Sequence, residues 1–514
     1  MRDVRAATGA LTRGPTTHIE CAATDVTTVP TEGNPLSRRT KIVCTLGQAT
    51  DNEHVLEGLF GAGMDVARVN LSYDAPAQIR ARVERFCRVR TRLKSHVALM
   101  FDTKGPEVRT GRLAGDRPVT LMAGARFTLT TREVEGTDRL VTQTYAGLAG
   151  HVAPGTRILL DSGRVELAVD EVLGEDVVCT VQRTGQLGSH KPLNVPGVPL
   201  DLPAITQADR DDIAYGVEAG IDYLALSYVR DAACVRQARA ILDELGGPEV
   251  RILAKLEDAE GVANLDEIVA EADGVIVARG DLGLELPFEE VPRIQTEAIR
   301  ACNGRYKPVV VATQILDSMT REPSPNRAEV ADVTNAVLQG ADALLISPAT
   351  AVGKYPVEAV RALDRVARAA EARLDPTRHL SDHVRNVSEG VVSSVAIAAA
   401  QTAERVGARC IVTPTVAGKT ARLVSGFRSS LPVYAVTPRE ATARRVMLYW
   451  GVTPMLGDVQ GSADKVIDNA RAAVVSRGLL ERGDIAVFTA GDRATSPVVG
   501  TSTMTNMMYV VQVK

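Results

Sequence analysis

The chain has 514 residues, 45% of them hydrophobic and 24% charged, with a formal net charge of −4. That length divides into about three domains at roughly 100 to 200 residues each, and the near-neutral balance excludes the basic footprint of a nucleic-acid-binding protein. Seven scattered cysteines without a CxxC pair exclude a disulfide framework or zinc knuckle, and no apolar run nears the roughly 18 residues of a membrane span, so a reducing cytoplasm is expected.

Residues 1–38, rich in Thr, Ala, Gly and Pro, show no periodicity and no apolar core of a secretory signal; a disordered or weakly docked extension is expected. From Arg39 the apolar strands TKIVCTLG, DVARVNLS and HVALMFDTKG alternate with the helical segments DNEHVLEGLFGAG and QIRARVERFCRVRTRL, a βαβα rhythm that predicts a parallel sheet over 39–105. Over 106–202 the rhythm gives way to short alternating strands with no convincing helix, among them RPVTLMAGARFTLTT and TRILLDSGRVELAVDEV, which predicts an all-β insertion. The rhythm resumes over 203–372 with DYLALSYV, VRILAKLED, GVIVARGDLG, KPVVVATQIL and ADALLISPAT. Eight such strands in about 240 residues predict a (β/α)₈ barrel, with a doubly wound sheet as the competing topology. Residues 373–514 read as a second α/β unit, and before it HLSDH sets His379 and His383 at i, i+4 without a third ligand.

The stretch 250–287 carries the densest chemistry. Period 2 puts Lys255 and Glu257 on one face at a strand's carboxyl end, and the next strand, GVIVARGDLG, delivers Asp281 to its own carboxyl end. Two hard carboxylates beside a fixed cation suit Mg²⁺ shared with a phosphate; the plain alternative is a self-satisfied structural ion pair. Strand two offers Arg68, Asn70 and Ser72 on one face, strand three Asp102 and Thr103, strand seven Thr313 and Gln314, and strand eight Ser347. Asn, Ser, Asp and Thr oxygens together suit a large monovalent cation, although each taken singly is also an ordinary strand terminator.

The ordered motifs RRTKIVCTLG, MDVARVNLS, DTKGPEVRTG, AKLEDAEG, VARGDLGLELP, VATQILDSM, NRAEVADVTNAVLQGADA and KYPVEAV resemble the pyruvate kinase family from about Arg39 to the end of the chain. The resemblance implies a barrel with a mobile β lid inserted after strand three, a carboxyl-terminal α/β effector domain, and a cytoplasmic homotetramer that takes phosphoenolpyruvate and ADP to pyruvate and ATP. It assigns Mg²⁺ (or Mn²⁺) to Glu257 and Asp281, and K⁺ to Asn70, Ser72, Asp102 and Thr103. Lys255 and Arg68 fall on the phosphoryl-group residues, Gly280 with Asp281 on the substrate, Thr313 beside the protonated carbon, and Ser347 among the catalytic groups. Arg109 and Lys191 fall on nucleotide-phosphate contacts at the lid's mouth. In TPTVAGKTARLVSGFR the residues Thr415, Gly418, Lys419 and Thr420 fall on the cradle of a phosphorylated effector, and Glu107 in DTKGPE matches members that require K⁺.

This chain departs from the family pattern in four places. SGETA is Ser347-Pro348-Ala349-Thr350-Ala351, FSHG is Leu71-Ser72-Tyr73-Asp74, Asp258 stands for the usual Asn, and Ser162 replaces the second Asp of a lid DDG. These motivate two rivals: a paralogue acting on another enol phosphate, and a catalytically weak effector-binding protein.

Overall fold

The computed structural model describes residues 38–374, 390–491 and 505–514; His379, His383 and residues 1–37 lie outside the described residues. Eight strands, β1 (Lys41–Leu46), β2 (Val66–Asn70), β3 (Ala98–Asp102), β4 (Tyr223–Leu226), β5 (Arg251–Leu256), β6 (Gly274–Ala278), β7 (Val309–Ala312) and β8 (Ala343–Ile346), close in the order β1-β8-β7-β6-β5-β4-β3-β2. Every pairing is parallel, and β8 returns to β1, so the doubly wound alternative is removed.

Alternation explains why these strands close. One set of positions, including Val43, Val66, Met100, Leu253, Ile276 and Val310, fills the interior, while the other set, including Ile42, Ala67, Leu99 and Val275, packs outward against the helices. Helix ends are written locally: the helix Arg327–Gln339 opens on Asn326, whose side chain and Glu329 form a capping box, and stops at Gly340 with φ of 99°. Two expectations need correction. The helical run after β5 is broken at Asn264 into Ala259–Ala263 and Leu265–Glu271, with the Asn264 amide donating to the Arg230 carbonyl at 2.9 Å. Strand β6 stops at Ala278, so Asp281 rides on a short helix, Arg279–Glu285, rather than on the strand itself.

Between β3 and β4 the chain forms a curled seven-stranded sheet around its own core of Phe127, Leu129, Ile158, Leu167 and Val177. It also carries a one-turn helix, Leu148–His151, where no helix was expected. At the entrance Gly105 has φ of 70°, and a Cβ there would come within 2.8 Å of the Tyr228 ring, so only glycine fits this crossing.

The last unit is a five-stranded sheet of β9 (Cys410–Pro414), β10 (Val433–Thr437), β11 (Val452–Leu456), β12 (Ile485–Ala490) and β13 (Met507–Gln512), in the order β11-β10-β9-β12-β13 with only β13 antiparallel. It docks on the amino-terminal end of the barrel. Arg444 donates to Asp222 at 2.9 Å, Arg428 meets Asp342 at 2.9 Å, and Lys41 donates to the Val452 carbonyl at 2.7 Å. Leu448, fully buried, joins the barrel's interior cluster, and Met447 packs beside it. The carboxyl-terminal unit thus plugs the barrel from below. Among the described residues no helix is long and apolar enough to cross a membrane.

Leu448→Ala should cost about 2–5 kcal/mol, the range for emptying a buried leucine site. Denaturant unfolding followed by the fluorescence of buried Trp450 measures it; an unchanged midpoint would show that the plug carries no stability.

Candidate active site

Near the carboxyl ends of the strands the interior face turns from apolar to polar within two residues. Val43 is followed on that face by Thr45, Val66 by Arg68 and Asn70, Met100 by Asp102, Ala225 by Ser227, Leu253 by Lys255 and Glu257, and Leu345 by Ser347. All of these polar side chains except Thr45 line a cleft of about 170 Å³, together with Ser72, Thr103, Asp281 and Thr313, over a floor that includes Ile276, Ala312 and Leu345. Among the residues assigned to metal, phosphoryl and catalytic roles, only Gly280 does not line it, and Gly280 donates its backbone N–H to the Thr313 hydroxyl at 2.7 Å.

The centre is one buried carboxylate. Asp102, 2% exposed, accepts from Arg68 Nε on Oδ2 at 2.6 Å and meets Lys255 Nζ on Oδ1 at 3.1 Å. Lys255 also reaches Glu257 at 2.9 Å and donates to Ser227 at 2.8 Å, while Arg68 donates to Thr45 at 2.9 Å and to Ser347 at 3.3 Å. Burial alone would push the Asp102 carboxyl up, but Arg68 and Lys255 override it and hold it below the usual range. Burial works against the Lys255 ammonium too, and Asp102 with Glu257 more than offsets it, raising its pKa. The Lys255 ammonium is therefore held charged, and the Arg68 guanidinium is fixed beside it on the same carboxylate.

The other two carboxylates behave oppositely. Glu257, 2% exposed, accepts from the Tyr228 N–H at 2.6 Å, an N–H aimed by the left-handed backbone of Tyr228 at φ 52°. Burial pushes Glu257 up to about 7 against the pull of Lys255, with Asp281 adding repulsion. Asp281 is raised chiefly by burial, with Asp102 and Glu107 as further negative neighbours. Two crowded carboxylates raised in this way gain from a cation between them. Among the described residues no group of three or more His, Cys, Asp or Glu makes a complete metal cage, and Mg²⁺ needs only one or two protein oxygens. The donor set fits.

The four residues expected to hold K⁺ likewise offer oxygen donors. Asn70 Oδ1 accepts from the Ser72 N–H at 2.9 Å, and Thr103 binds Ser227 through both its hydroxyl and its carbonyl. Asp102 already receives Arg68, Lys255 and a 3.4 Å bond from Ser227, which leaves about one of its roughly four lone-pair sites free.

Arg109 and Lys191 are not in the cleft: Arg109 is paired with Glu107 and donates to the His190 carbonyl at 2.9 Å, and Lys191 lies 3.4 Å from Asp161. A larger cleft of about 500 Å³ between the β insertion and the barrel shares Glu107 and Tyr228 with the first. Thr415, Gly418, Lys419 and Thr420 lie in the carboxyl-terminal unit, where Thr415 accepts from the Gly418 N–H at 2.9 Å, Gly418 has φ of 84°, and Thr420 shares a 2.6 Å bond with Thr505. Sequence reading missed Thr45 and Ser227. Both are small polar residues at the ends of apolar runs, and reading strands one and four as the others were read would have found them.

Three of the four departures lie outside the smaller cleft, although Asp258, next to Glu257, lines the larger one. Pro348 takes the first position of the helix Pro348–Ala351, Ala349 is wholly buried, and Thr350 anchors to the Thr45 carbonyl at 2.9 Å, so of that loop only Ser347 reaches the cleft. Asp258 accepts from the Gly261 N–H at 2.7 Å and caps a helix, and Ser162 lies in the β insertion. Tyr73 is the exception, lining the cleft with 81% of its surface exposed.

A family model of the pyruvate kinase barrel domain matches residues 37–360, and one of the pyruvate kinase alpha/beta domain matches 393–511. The pyruvate kinase of Staphylococcus epidermidis is 41% identical over 475 residues, covering 92% of this chain and 80% of its own length. That of Geobacillus stearothermophilus is 42% identical over 478 residues with the same coverage. The crystal structure of a pyruvate kinase from Cryptosporidium parvum superposes with a TM-score of 0.87 at 35% identity, covering 94% of this chain and 98% of that one.

Proposed function

The chain belongs to the pyruvate kinase family, and from that premise we propose how its barrel mouth moves a phosphoryl group from phosphoenolpyruvate to ADP, giving pyruvate and ATP. It is a phosphotransferase. The observation that carries the mechanism is the buried chain Arg68–Asp102–Lys255–Glu257, which holds two cations ready before substrate arrives.

In this reading Arg68 and Lys255 meet the phosphoryl oxygens and take up charge as it spreads over the group in a loose transition state. Glu257 and Asp281 would hold Mg²⁺ or Mn²⁺, which when bound neutralises and orients phosphoryl and carboxylate oxygens. Asn70, Ser72, Asp102 and Thr103 would hold K⁺. Lys255 then faces the enolate oxygen, and Thr313, fixed by Gly280, stands beside the carbon that receives a proton. Ser347 supports Arg68 from the β8 side. When the β insertion closes as a lid, Arg109 and Lys191 exchange Glu107 and Asp161 for nucleotide phosphates, and water leaves the cleft.

The family also supports a cytoplasmic homotetramer with a phosphorylated effector at Thr415, Gly418, Lys419 and Thr420. The rival paralogue and binding-protein readings lose support, because neither Pro348 nor Ala349 lines the cleft.

Lys255→Ala should lower kcat by about 10²–10³-fold, the loss expected for one preorganised electrostatic donor. A coupled assay that found kcat unchanged would remove Lys255 from the chemistry.

Charge balance gives a second expectation. Asp102, Glu107, Glu257 and Asp281 line the cleft against Arg68, Lys104 and Lys255, and Lys104 leans toward Asp212 at 3.9 Å. Anionic substrates add to the deficit, and an uncompensated charge at low effective dielectric shifts a barrier strongly. Replacing K⁺ by a bulky organic cation at constant ionic strength should cut activity steeply, and Glu107→Lys should relieve the need. Equal rates with and without K⁺ in the parent protein would discard the K⁺ site.

A further inference from the structure

Arg279 does not line the cleft, yet its guanidinium is spent on the strand end that does. Arg279, 7% exposed, donates from Nε to the Ala312 carbonyl at 3.3 Å and from Nη2 to the Thr313 carbonyl at 2.6 Å. Its Nη1 turns outward, to Asp332 at 2.7 Å and Gln295 at 3.4 Å. Asp332 stands on the helix Arg327–Gln339, in the layer outside the barrel.

What this guanidinium grips is unusual backbone. Thr313 has φ of 66°, Gln314 of 56° and Leu316 of 53°. A β-branched residue enters the left-handed region only where its surroundings impose it. Here the Thr313 hydroxyl accepts from the Gly280 N–H at 2.7 Å and donates to the Ala312 carbonyl at 2.6 Å, while Arg279 clamps the carbonyls on either side. Remove the clamp and the strand end is free to relax to ordinary backbone, swinging the hydroxyl out of the cleft.

We propose that Arg279, anchored by Asp332, is a positioning residue for the protonation step, holding Thr313 in the left-handed conformation that presents its hydroxyl to the reacting carbon. The proposal rests on the reading of Thr313 given above. In that step a C–H bond forms at the enolate carbon as the C=O bond is regained, the proton coming from water in the cleft. In reverse the C–H bond breaks, so pyruvate exchanges its methyl hydrogens with deuterium in D₂O.

The test compares that exchange, followed by NMR with ATP, Mg²⁺ and K⁺ present, with ATP formation from phosphoenolpyruvate and ADP, which precedes protonation. Arg279→Lys keeps the charge but loses the planar fork. Exchange should fall on the order of 10²-fold, as for a misplaced catalytic group, ATP formation should fall much less, and the KM for ADP should hold. Asp332→Asn should act in the same direction and Asp332→Glu should restore exchange; since Asp332 is 33% exposed, these variants carry the test if Arg279→Lys fails to fold. Unchanged exchange, or an equal loss of exchange and ATP formation, overturns the proposal. If Thr313→Val leaves exchange intact, the Thr313 reading itself fails; if it abolishes exchange while Arg279→Lys does not, only the clamp fails.

Discussion

One buried carboxylate organises this molecule's chemistry. Asp102 would be an expense in the barrel interior by itself, and so would Arg68 or Lys255. Together they neutralise one another where β2, β3 and β5 end, and neither cation needs to be recruited when an anionic substrate arrives. Isolated buried ion pairs are weak stabilisers. This one is better understood as preorganisation, two positive charges set at fixed positions before the reaction begins.

The barrel makes that placement possible because its two ends do different work. At the amino-terminal end, Met447 and Leu448 of the last unit fill the opening, and Asp222, Asp342 and Lys41 tie it down. The interior column above the plug is apolar up to Ile276, Ala312 and Leu345, which floor the cleft. Polar side chains are packed into the remaining carboxyl-terminal layer, where burial, with repulsion from neighbouring carboxylates added to it, raises Glu257 and Asp281. The strained backbone of Thr313, Gln314 and Tyr228 lies in the same layer, held by Arg279 and by the Tyr228 bond to Glu257.

Much of this was legible in the residues themselves. The βαβα rhythm of apolar runs exposed all eight barrel strands, and period-2 alternation put Lys255 with Glu257, and Arg68 with Asn70, on shared faces. The partner of those cations was not legible. Sequence reading gave Asp102 only to a monovalent ion, whereas its pairing with Arg68 and Lys255 depends on the register of four neighbouring strands, with Asn70 opposite Asp102, Asp102 opposite Ala225 and Leu226 opposite Ala254. The plug was hidden for a related reason: nothing local in the residues around Leu448 says that it enters another unit's core. Arg109 and Lys191 were placed by motif, but their present partners, Glu107 and Asp161, follow from how the β insertion folds on itself.

Fixed cations and crowded carboxylates form one site, so phosphoenolpyruvate and the divalent ion should favour each other's binding. Calorimetric titration of phosphoenolpyruvate with and without Mg²⁺, in the parent protein and in Asp281→Asn, tests it most directly. Mg²⁺ should tighten phosphoenolpyruvate binding at least about tenfold in the parent, within the usual span of coupling energies. In Asp281→Asn that coupling should vanish while weak binding on Arg68 and Lys255 persists. Equal affinity with and without Mg²⁺ in the parent protein would contradict the account.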